Sequence, residues 1–293
     1  MLWIILTAAA APLQVARNAL QRGLVGDAGP WGATLVRFLF GLPFSVAIFT
    51  VVAALSPQAQ PHFTAAFWLG ACFGGVAQVC ATAALLVAMR RAGFAVATAL
   101  QQSSLPLAAL FGAAAFGDQL SPTAWAGVAT ATVGLTLLSW PRSAREPGAF
   151  AGALLGLASG AAFAVALNAY RQAGLALEPA HPVYVGTAGV CVAQAMQTFV
   201  LTIILAVTRP AALSAVAASW RRSLGAGFFG SAASACWFSA LALAPAAAVR
   251  AVSVIELPIA ALAGARLFKE RLTWRQAAGG ALAAAGVAAA ALG

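Results

Sequence analysis

Charge is what this chain has least of. Of its 293 residues only 8% are Asp, Glu, Lys or Arg, while 62% are hydrophobic. A soluble domain carries about 25% charged residues. Too few remain here to cover a water-facing surface, so the composition excludes a soluble globular class and predicts a chain that crosses a bilayer many times. Acidic residues are the scarcest, six against sixteen Lys and Arg, for a net charge of +10. A nucleic-acid surface gathers its basic residues on one face. Here they are scattered through short connections between apolar runs, so no nucleic-acid partner is expected.

Histidine occurs twice, as His62 and His181, each beside a proline in a short connection. Neither sits at membrane depth. The four cysteines, Cys72, Cys80, Cys191 and Cys236, all fall inside apolar runs and form no C-x-x-C pair. Neither a disulfide framework nor a zinc site is indicated. There is no H-E-x-x-H, no G-x-S-x-G and no phosphate-binding glycine loop, so direct ATP drive has no support. An intramembrane enzyme would need a nucleophile–base set or a metal site. No cofactor, metal or catalytic residue is therefore expected.

What is present is length in apolar runs. About 20 such residues span the hydrocarbon core, and ten candidates appear: 2–21, 31–55, 64–89, 93–116, 122–140, 149–172, 183–207, 222–243, 246–268 and 273–292. The connections carry turn chemistry, as at Gly26 to Pro30, Ser56 to Pro61, Trp140 to Pro147 and Glu178 to Pro182. The first run resembles a signal peptide in its AAAA, but it lacks a basic leading region and its RNALQRGL echoes LNAYRQAGL from Leu167. It reads as a retained helix. Ser121–Pro122 is an N-cap with proline at the first helical position, and Thr273 with Gln276 is a capping box. Gly70 and Gly74, and the series Gly152, Gly156, Gly160, are small-residue seams for close helix packing.

The chain also repeats itself. One ungapped offset of 152 residues pairs Pro106 with Pro258, Asp118 with Glu270, Ser121 with Thr273, Gly127 with Gly279 and Gly134 with Gly286. Repeats of this length govern the fold. Each half, 1–140 and 149–293, holds five spans, an odd number, so the second must enter the membrane from the opposite side. The expected fold is an all-α membrane protein, ten transmembrane helices as two inverted five-helix repeats. That architecture suits alternating access around a midplane site. The glycine seams read as intramolecular, which implies a monomer or at most a weak homodimer.

Odd-to-even connections carry Arg22, Arg90, Arg91, Arg142, Arg145, Arg209, Arg221, Arg222, Lys269 and Arg271, and Arg17, Arg37, Arg266 and Arg275 read as helix-end cations on the same side. The other side has Arg171 and Arg250. Positive charge stays cytoplasmic, which predicts both termini outside. The helix–Pro–helix, acidic–x–Leu–Ser/Thr, helix–Gly pattern, present twice, and the pair Arg37–Phe38 resemble the EamA-type drug/metabolite transporters across nearly the whole chain. The resemblance implies a ten-helix carrier of small metabolites, often an exporter of amino acids or similar solutes, in a bacterial cytoplasmic membrane. Two departures stand out: ten-helix members commonly have both ends cytoplasmic, and Asp118 replaces the usual glutamate. The proton-coupling glutamate of small four-helix relatives has no counterpart in spans one and six.

Ionisable groups at membrane depth default to functional hypotheses. Glu256, two residues before Pro258, costs about 2.5–3.5 kcal/mol at such depth on insertion scales. That makes it the first candidate for a proton or substrate-charge site, with a carboxylate that only ties two helices together as the structural alternative. Arg250, Ser253 and Glu256 share a broad face, and Thr98, Gln101 and Ser104 are their counterparts by the offset. Gln102 lies beside them, and Arg250 is the candidate for an anionic group. Pro106 and Pro258 mark helix breaks that free a backbone carbonyl. Asn18, Asn168, Gln14, Gln78, Gln194 and Gln197 supply amides that either orient a solute or join helices. Trp237 reads as a gate or a packing residue, and Asp118 and Glu270 as structural loop residues holding a turn and a helix start. The partners expected are a small-molecule substrate and the bilayer, with protons, exchange or the solute's own gradient as the alternatives for drive. A channel or receptor-like component is the alternative.

Overall fold

A computed structural model describes residues 1–104, 106–107, 110, 121–139, 148–244, 246, 249, 252–270 and 273–292. Among these the chain is helical throughout, with no strand. In order the helices are α1 (Leu2–Leu39), α2 (Leu42–Leu55), α3 (Ala65–Arg91), α4 (Phe94–Gln101), α5 (Pro122–Ser139), α6 (Ala149–Leu177), α7 (Pro182–Thr208), α8 (Pro210–Ala218) and α9 (Trp220–Leu243). A 3-10 turn at Ser253–Ile255 then leads into α10 (Glu256–Phe268), and α11 (Trp274–Leu292) follows. Five helical stretches among the described residues are long and apolar enough to cross a membrane: Leu2–Leu55, Ala65–Arg91, Phe150–Leu177, Pro182–Thr208 and Trp220–Leu243. The distribution of polarity agrees. Leu55, Phe73, Val76, Phe199 and Val207 are exposed, while Gln14, Asn18, Gln21, Gln194 and Gln197 are buried. Water does not tolerate apolar exposure on this scale, whereas hydrocarbon does.

The boundaries depart from the sequence reading in three places. The turn expected from Gly26 to Pro30 shrinks to one residue, Gly29, at φ 68°, inside an otherwise continuous α1. Only glycine reaches that conformation without strain, and Pro30 restarts the helix behind it. The Gln21 amide bridges the kink by donating to the Ala33 carbonyl at 2.8 Å. The span expected at 31–55 is then interrupted at Phe40–Gly41. Pro43 has no N–H to give the Leu39 carbonyl, so the ladder lapses there. Finally, the connection after α7 holds a helix of its own, α8, started by Pro210.

The residues group into two compact units: Met1–Val79 with Ala166–Pro245, and Cys80–Val165 with Ala246–Gly293. Each draws on both halves of the sequence.

In the first unit α1 packs on α9, and α7 lies against α2 and α9. Small residues set these approaches. A Cβ on Gly227 would strike the Phe40–Gly41 backbone, and one on Gly74 would lie 2.8 Å from the Tyr170 ring. Gly70 meets the Ala169 carbonyl and Ala173 in the same way, so the Gly70/Gly74 seam is a real helix contact. Phe67, Ala71, Ala173, Leu177, Val185 and Ala188 form the apolar core beside it. Arg171, expected near the membrane surface, instead donates to the carbonyls of Leu241, at 2.7 Å, and Ala244. A cation there caps the C-terminus of α9, where the helix dipole is negative.

In the second unit the pairing of α5 with α11 reflects the repeat. A Cβ on Gly134 would fall on the Ala283 backbone, with the Gly279 carbonyl at 2.8 Å. One on Gly286 would fall on the Ala131 backbone, with the Gly127 carbonyl at 2.7 Å. Each of these partners is the other's counterpart at the 152-residue offset. The series Gly152, Gly156, Gly160 seats α6 against Arg91–Ala92, Leu100 and Ser103 in turn. Thr273 and Gln276 form the expected capping box, each backbone N–H reaching the other's side chain at 3.1 and 3.2 Å.

Candidate functional site

The site forms where two helices of the second unit lose their regularity. α4 ends at Gln101, and the next bonds, Gln102 N–H to Ala99 and Ser103 N–H to Leu100, both 3.0 Å, are of the tighter i−3 kind. Pro106 cannot donate to the carbonyl four residues before it, that of Gln102. In the other half Pro258 likewise cannot serve Val254, which lies within the 3-10 turn Ser253–Ile255. The two deprived positions are counterparts by the same offset. Each proline therefore acts one turn upstream of itself, and the irregular backbone appears there rather than at the proline. Pro106 is buried while Pro258 is exposed.

Polar side chains meet at these breaks. The Gln102 amide nitrogen donates to Glu256 Oε2 at 2.6 Å, and Ser253 Oγ donates to Gln102 Oε1 at 3.4 Å. Glu256 is 0% exposed and is the first residue of α10, where the positive end of the helix dipole favours a carboxylate. Thr98 Oγ1, Gln101 Oε1 and Ser103 Oγ are buried with no hydrogen-bond partner among the described residues. Native interiors leave few such atoms unsatisfied, and a cluster of them calls for a reason. A buried carboxylate with its donor amide, in the same stretch as polar atoms that have no partner among the described residues, is an arrangement that can receive a small polar solute.

Four of the expected residues are thus in this unit and close together: Glu256, Ser253, Gln101 and Gln102. Thr98 and Ser104 are buried in the same stretch of α4 and its turn. Arg250 and Asp118 lie outside the described residues. Glu270 reaches beyond the turn it sits in. Its carboxylate accepts the Phe94 N–H at 3.0 and 2.8 Å and the Ala95 N–H at 3.4 Å. It therefore caps α4, a helix from the other half of the sequence. Gly93, at φ 93°, brings the chain in over that carboxylate.

The other candidates belong to the first unit. Gln78 accepts from Gln197 at 2.9 Å and from the Tyr170 hydroxyl at 3.1 Å, while Gln197 also reaches the Gly75 carbonyl at 3.1 Å. These amides join α3, α6 and α7. Gln194 donates to Ser231 Oγ at 3.1 Å, and Ser231 donates to the Gly41 carbonyl at 2.7 Å, so this pair seals the α1–α2 break. Gln14 and Trp237 are buried, Asn168 is half-buried, and Asn18 is 1% exposed with its Oδ1 on Arg17. A crevice in this unit is lined by Phe67, Tyr170, Arg171, Gly174, Gly186 and Phe238.

Arg17 and Arg37, read as helix-end cations, are 1% and 2% exposed, and Arg37 does lie in the last turn of α1. Arg17 donates from Nε and Nη2 to Asn18 Oδ1 at 3.1 and 2.6 Å, and Arg37 donates to Ser234 Oγ at 3.1 Å. Both leave the tally of surface charge that sets orientation. Ser103 and Tyr170 were not singled out at all, since neither carries a charge or a motif.

Comparison with known proteins comes next to this geometry. The EamA-like transporter family matches residues 150–292. A solved crystal structure, described only as that of a protein, aligns over 99% of this chain and 96% of its own at a TM-score of 0.58 and 18% identity. At that identity the likeness is one of fold. Comparison with curated proteins finds no match.

Proposed function

We propose that this chain, whose residues 150–292 are those of an EamA-like transporter, is a secondary carrier working by alternating access. It is built from ten spans in two inverted five-helix repeats and moves a small metabolite, such as an amino acid or related solute, out across a bacterial cytoplasmic membrane, as a monomer or weak homodimer. The observation that supports this best is the bond between Gln102 and Glu256 at 2.6 Å. It joins the two proline-broken helices, one from each half, at the place where Thr98, Gln101 and Ser103 have no partner. Paired discontinuous helices with a charged residue between them are the binding-site plan of inverted-repeat carriers. Glu256 carries the proton or meets the charged group of the solute. Gln102 holds its carboxylate and Ser253 holds Gln102, Gln101 and Thr98 orient the solute, and Arg250 is kept as a contact for an anionic group.

Counterflow in proteoliposomes tests the reading. Vesicles loaded with one member of an amino-acid panel should accumulate labelled solute outside-to-inside by exchange, which a channel cannot do. Glu256→Gln should lower that exchange at least tenfold, about 1.4 kcal/mol, and remove its pH dependence while the protein still inserts. Wild-type flux and pH profile in that variant would remove Glu256 from the mechanism.

A further inference from the structure

The two broken helices of the second unit are tied at both ends. Gln102, just past the end of α4, bonds to Glu256, the first residue of α10. At the opposite ends Glu270, two residues past α10, takes the N–H groups of Phe94 and Ala95, the first two residues of α4. The helices therefore run antiparallel, and the second tie lies about 20 Å from Glu256 at 1.5 Å per residue along α10. Gly93, the N-cap of α4, has no side chain to offer, so the first N–H groups of that helix are served from the far half of the sequence. Thr273 and Gln276 already cap α11, so the start of that helix does not call on Glu270. The seat of the carboxylate is cut to size: a Cβ on Gly93 or on Gly264 would lie 3.3 or 3.1 Å from Glu270 Oε2. The Phe94 and Phe268 rings, one from each helix end, meet with centroids 5.2 Å apart. Lys269 delivers Glu270 to this seat under strain. Its φ of 55° is left-handed, the one such non-glycine among the described residues, and it stands where a glycine usually ends a helix. The Glu270 N–H closes that turn on the Gly264 carbonyl at 3.0 Å. A Cβ is crowded in this conformation, and strain kept in place marks switching elements as well as active sites.

The two ties differ in their surroundings. Glu256 is 0% exposed, whereas Glu270 is half-buried and its neighbours Arg266 and Lys269 are exposed. A carboxylate on peptide N–H groups near water trades one set of hydrogen bonds for another at little net cost, which suits a joint that must part and re-form. Parting α4 from α10 at this end is the movement that opens a path along their seam to Glu256. We propose that Glu270 is a releasable clasp: closed on Phe94 and Ala95 it seals α4 against α10, and its release opens the solute site to the membrane face that bears Lys269. Glu270 is then a positioning residue that acts through α4, not a solute ligand. The inference rests on the carrier reading and assigns one of its gates.

The clasp can be locked, because a Cβ on Gly264 would lie 3.5 Å from Ala95 Cβ, a separation that a disulfide spans. The test uses the full chain with Cys72, Cys80, Cys191 and Cys236 changed to alanine and Ala95→Cys with Gly264→Cys introduced. In proteoliposomes, oxidation should abolish counterflow of the amino-acid panel and reduction restore it, whereas a cap that never opens would tolerate the link. Thr98→Cys, added to the same chain, reports access to the site by its reaction with a membrane-impermeant maleimide in right-side-out and inside-out vesicles. The link should slow that reaction at least tenfold from one membrane face and not from the other. Without the link, Glu270→Gln should speed it severalfold from that same face. Lys269→Gly, which relieves the strain, should slow it there while raising the melting temperature. Full counterflow in the linked chain overturns the clasp, as does labelling that the link leaves unchanged or slows equally from both faces. Failure of oxidation to join positions 95 and 264 overturns it too. If the cysteine pair prevents insertion, labelling of Thr98→Cys that Glu270→Gln leaves unchanged overturns it alone. Counterflow indifferent to the link would sink the clasp and leave the carrier standing. One-sided labelling with no counterflow in the unlinked chain would do the reverse.

Discussion

Glu178 and His181 show how a polar pair behaves once it leaves the membrane. They face each other at the α6–α7 connection, with His181 Nδ1 and Glu178 Oε2 2.6 Å apart. Loss of solvent pushes the Glu178 carboxyl up. The bond to His181, the Ala180 N–H at 3.0 Å and a backbone contact from Gln60 more than offset this and hold it below the ordinary carboxylate value. A lowered folded-state pKa stabilises the fold at pH above the unfolded value, about 4.3 for glutamate. That stabilisation is lost as pH falls through the folded value. The melting temperature should therefore drop in acid below about pH 4, and Glu178→Gln should flatten that part of the profile while lowering the curve at neutral pH. An acid limb identical in wild type and variant would show that the pair contributes nothing.

The same scale shows what a sequence can reveal. Glu256 was singled out because a carboxylate two residues from a proline in an apolar run either serves a solute or ties two helices together. Its partner Gln102 was named from its place in the run, but the bond between them was not, since a contact 154 residues apart depends on how two broken helices cross. The burial of Arg17 and Arg37 was not legible: distance from the edge of an apolar run gives a position along a helix, not which face packs inward. Glu270 was expected to hold its own turn and helix start, and its bonds to α4 were not foreseen. Capping by a side chain from the far half leaves no trace in local spacing.

Among elements, the pairing of α5 with α11 makes the sharpest demand. Gly134 and Gly286 each meet backbone of the other helix, so even a methyl group has nowhere to go. Gly134→Ala and Gly286→Ala should each destabilise the protein by about 1–3 kcal/mol, the usual cost of overpacking. Gly23→Ala supplies the contrast, because nothing lies within 4 Å of its Cβ position. There the gain in helix propensity, up to about 1 kcal/mol, should dominate and raise stability. Chemical denaturation of the three variants in detergent checks the signs. Equal effects at all three sites would mean the α5–α11 contact is looser than described. The seams at Gly70/Gly74 and Gly152/Gly156/Gly160 were readable as small-xxx-small spacing. α8 was not, since nine residues after a proline show no period long enough to separate a helix from a connection.

For the whole molecule, direction in the membrane is the open quantity. With Arg17, Arg37 and Arg171 accounted for by internal bonds, the orienting charge is carried by the connections alone. Arg209, Arg221 and Arg222 lie on one of them, around α8, and Lys269 on another. Alkaline phosphatase fused after Gly293 or inserted beside Glu178 should be active in a bacterial host, and a fusion beside Ser219 inactive. The opposite pattern would reverse the orientation and place both termini in the cytoplasm.

The reciprocal glycine contact also bears on ancestry. Gly134 rests on Ala283 and Gly279, and Gly286 rests on Ala131 and Gly127, so both surfaces are one surface used twice. A surface complementary to its own copy needs no second gene. A half-length chain bearing such a surface would be able to pair with a second copy of itself. Drift is then constrained in pairs. Neither alanine can enlarge while the glycine opposite remains the only residue that fits, so these positions should diverge last, long after Arg250 and Thr98 have gone separate ways.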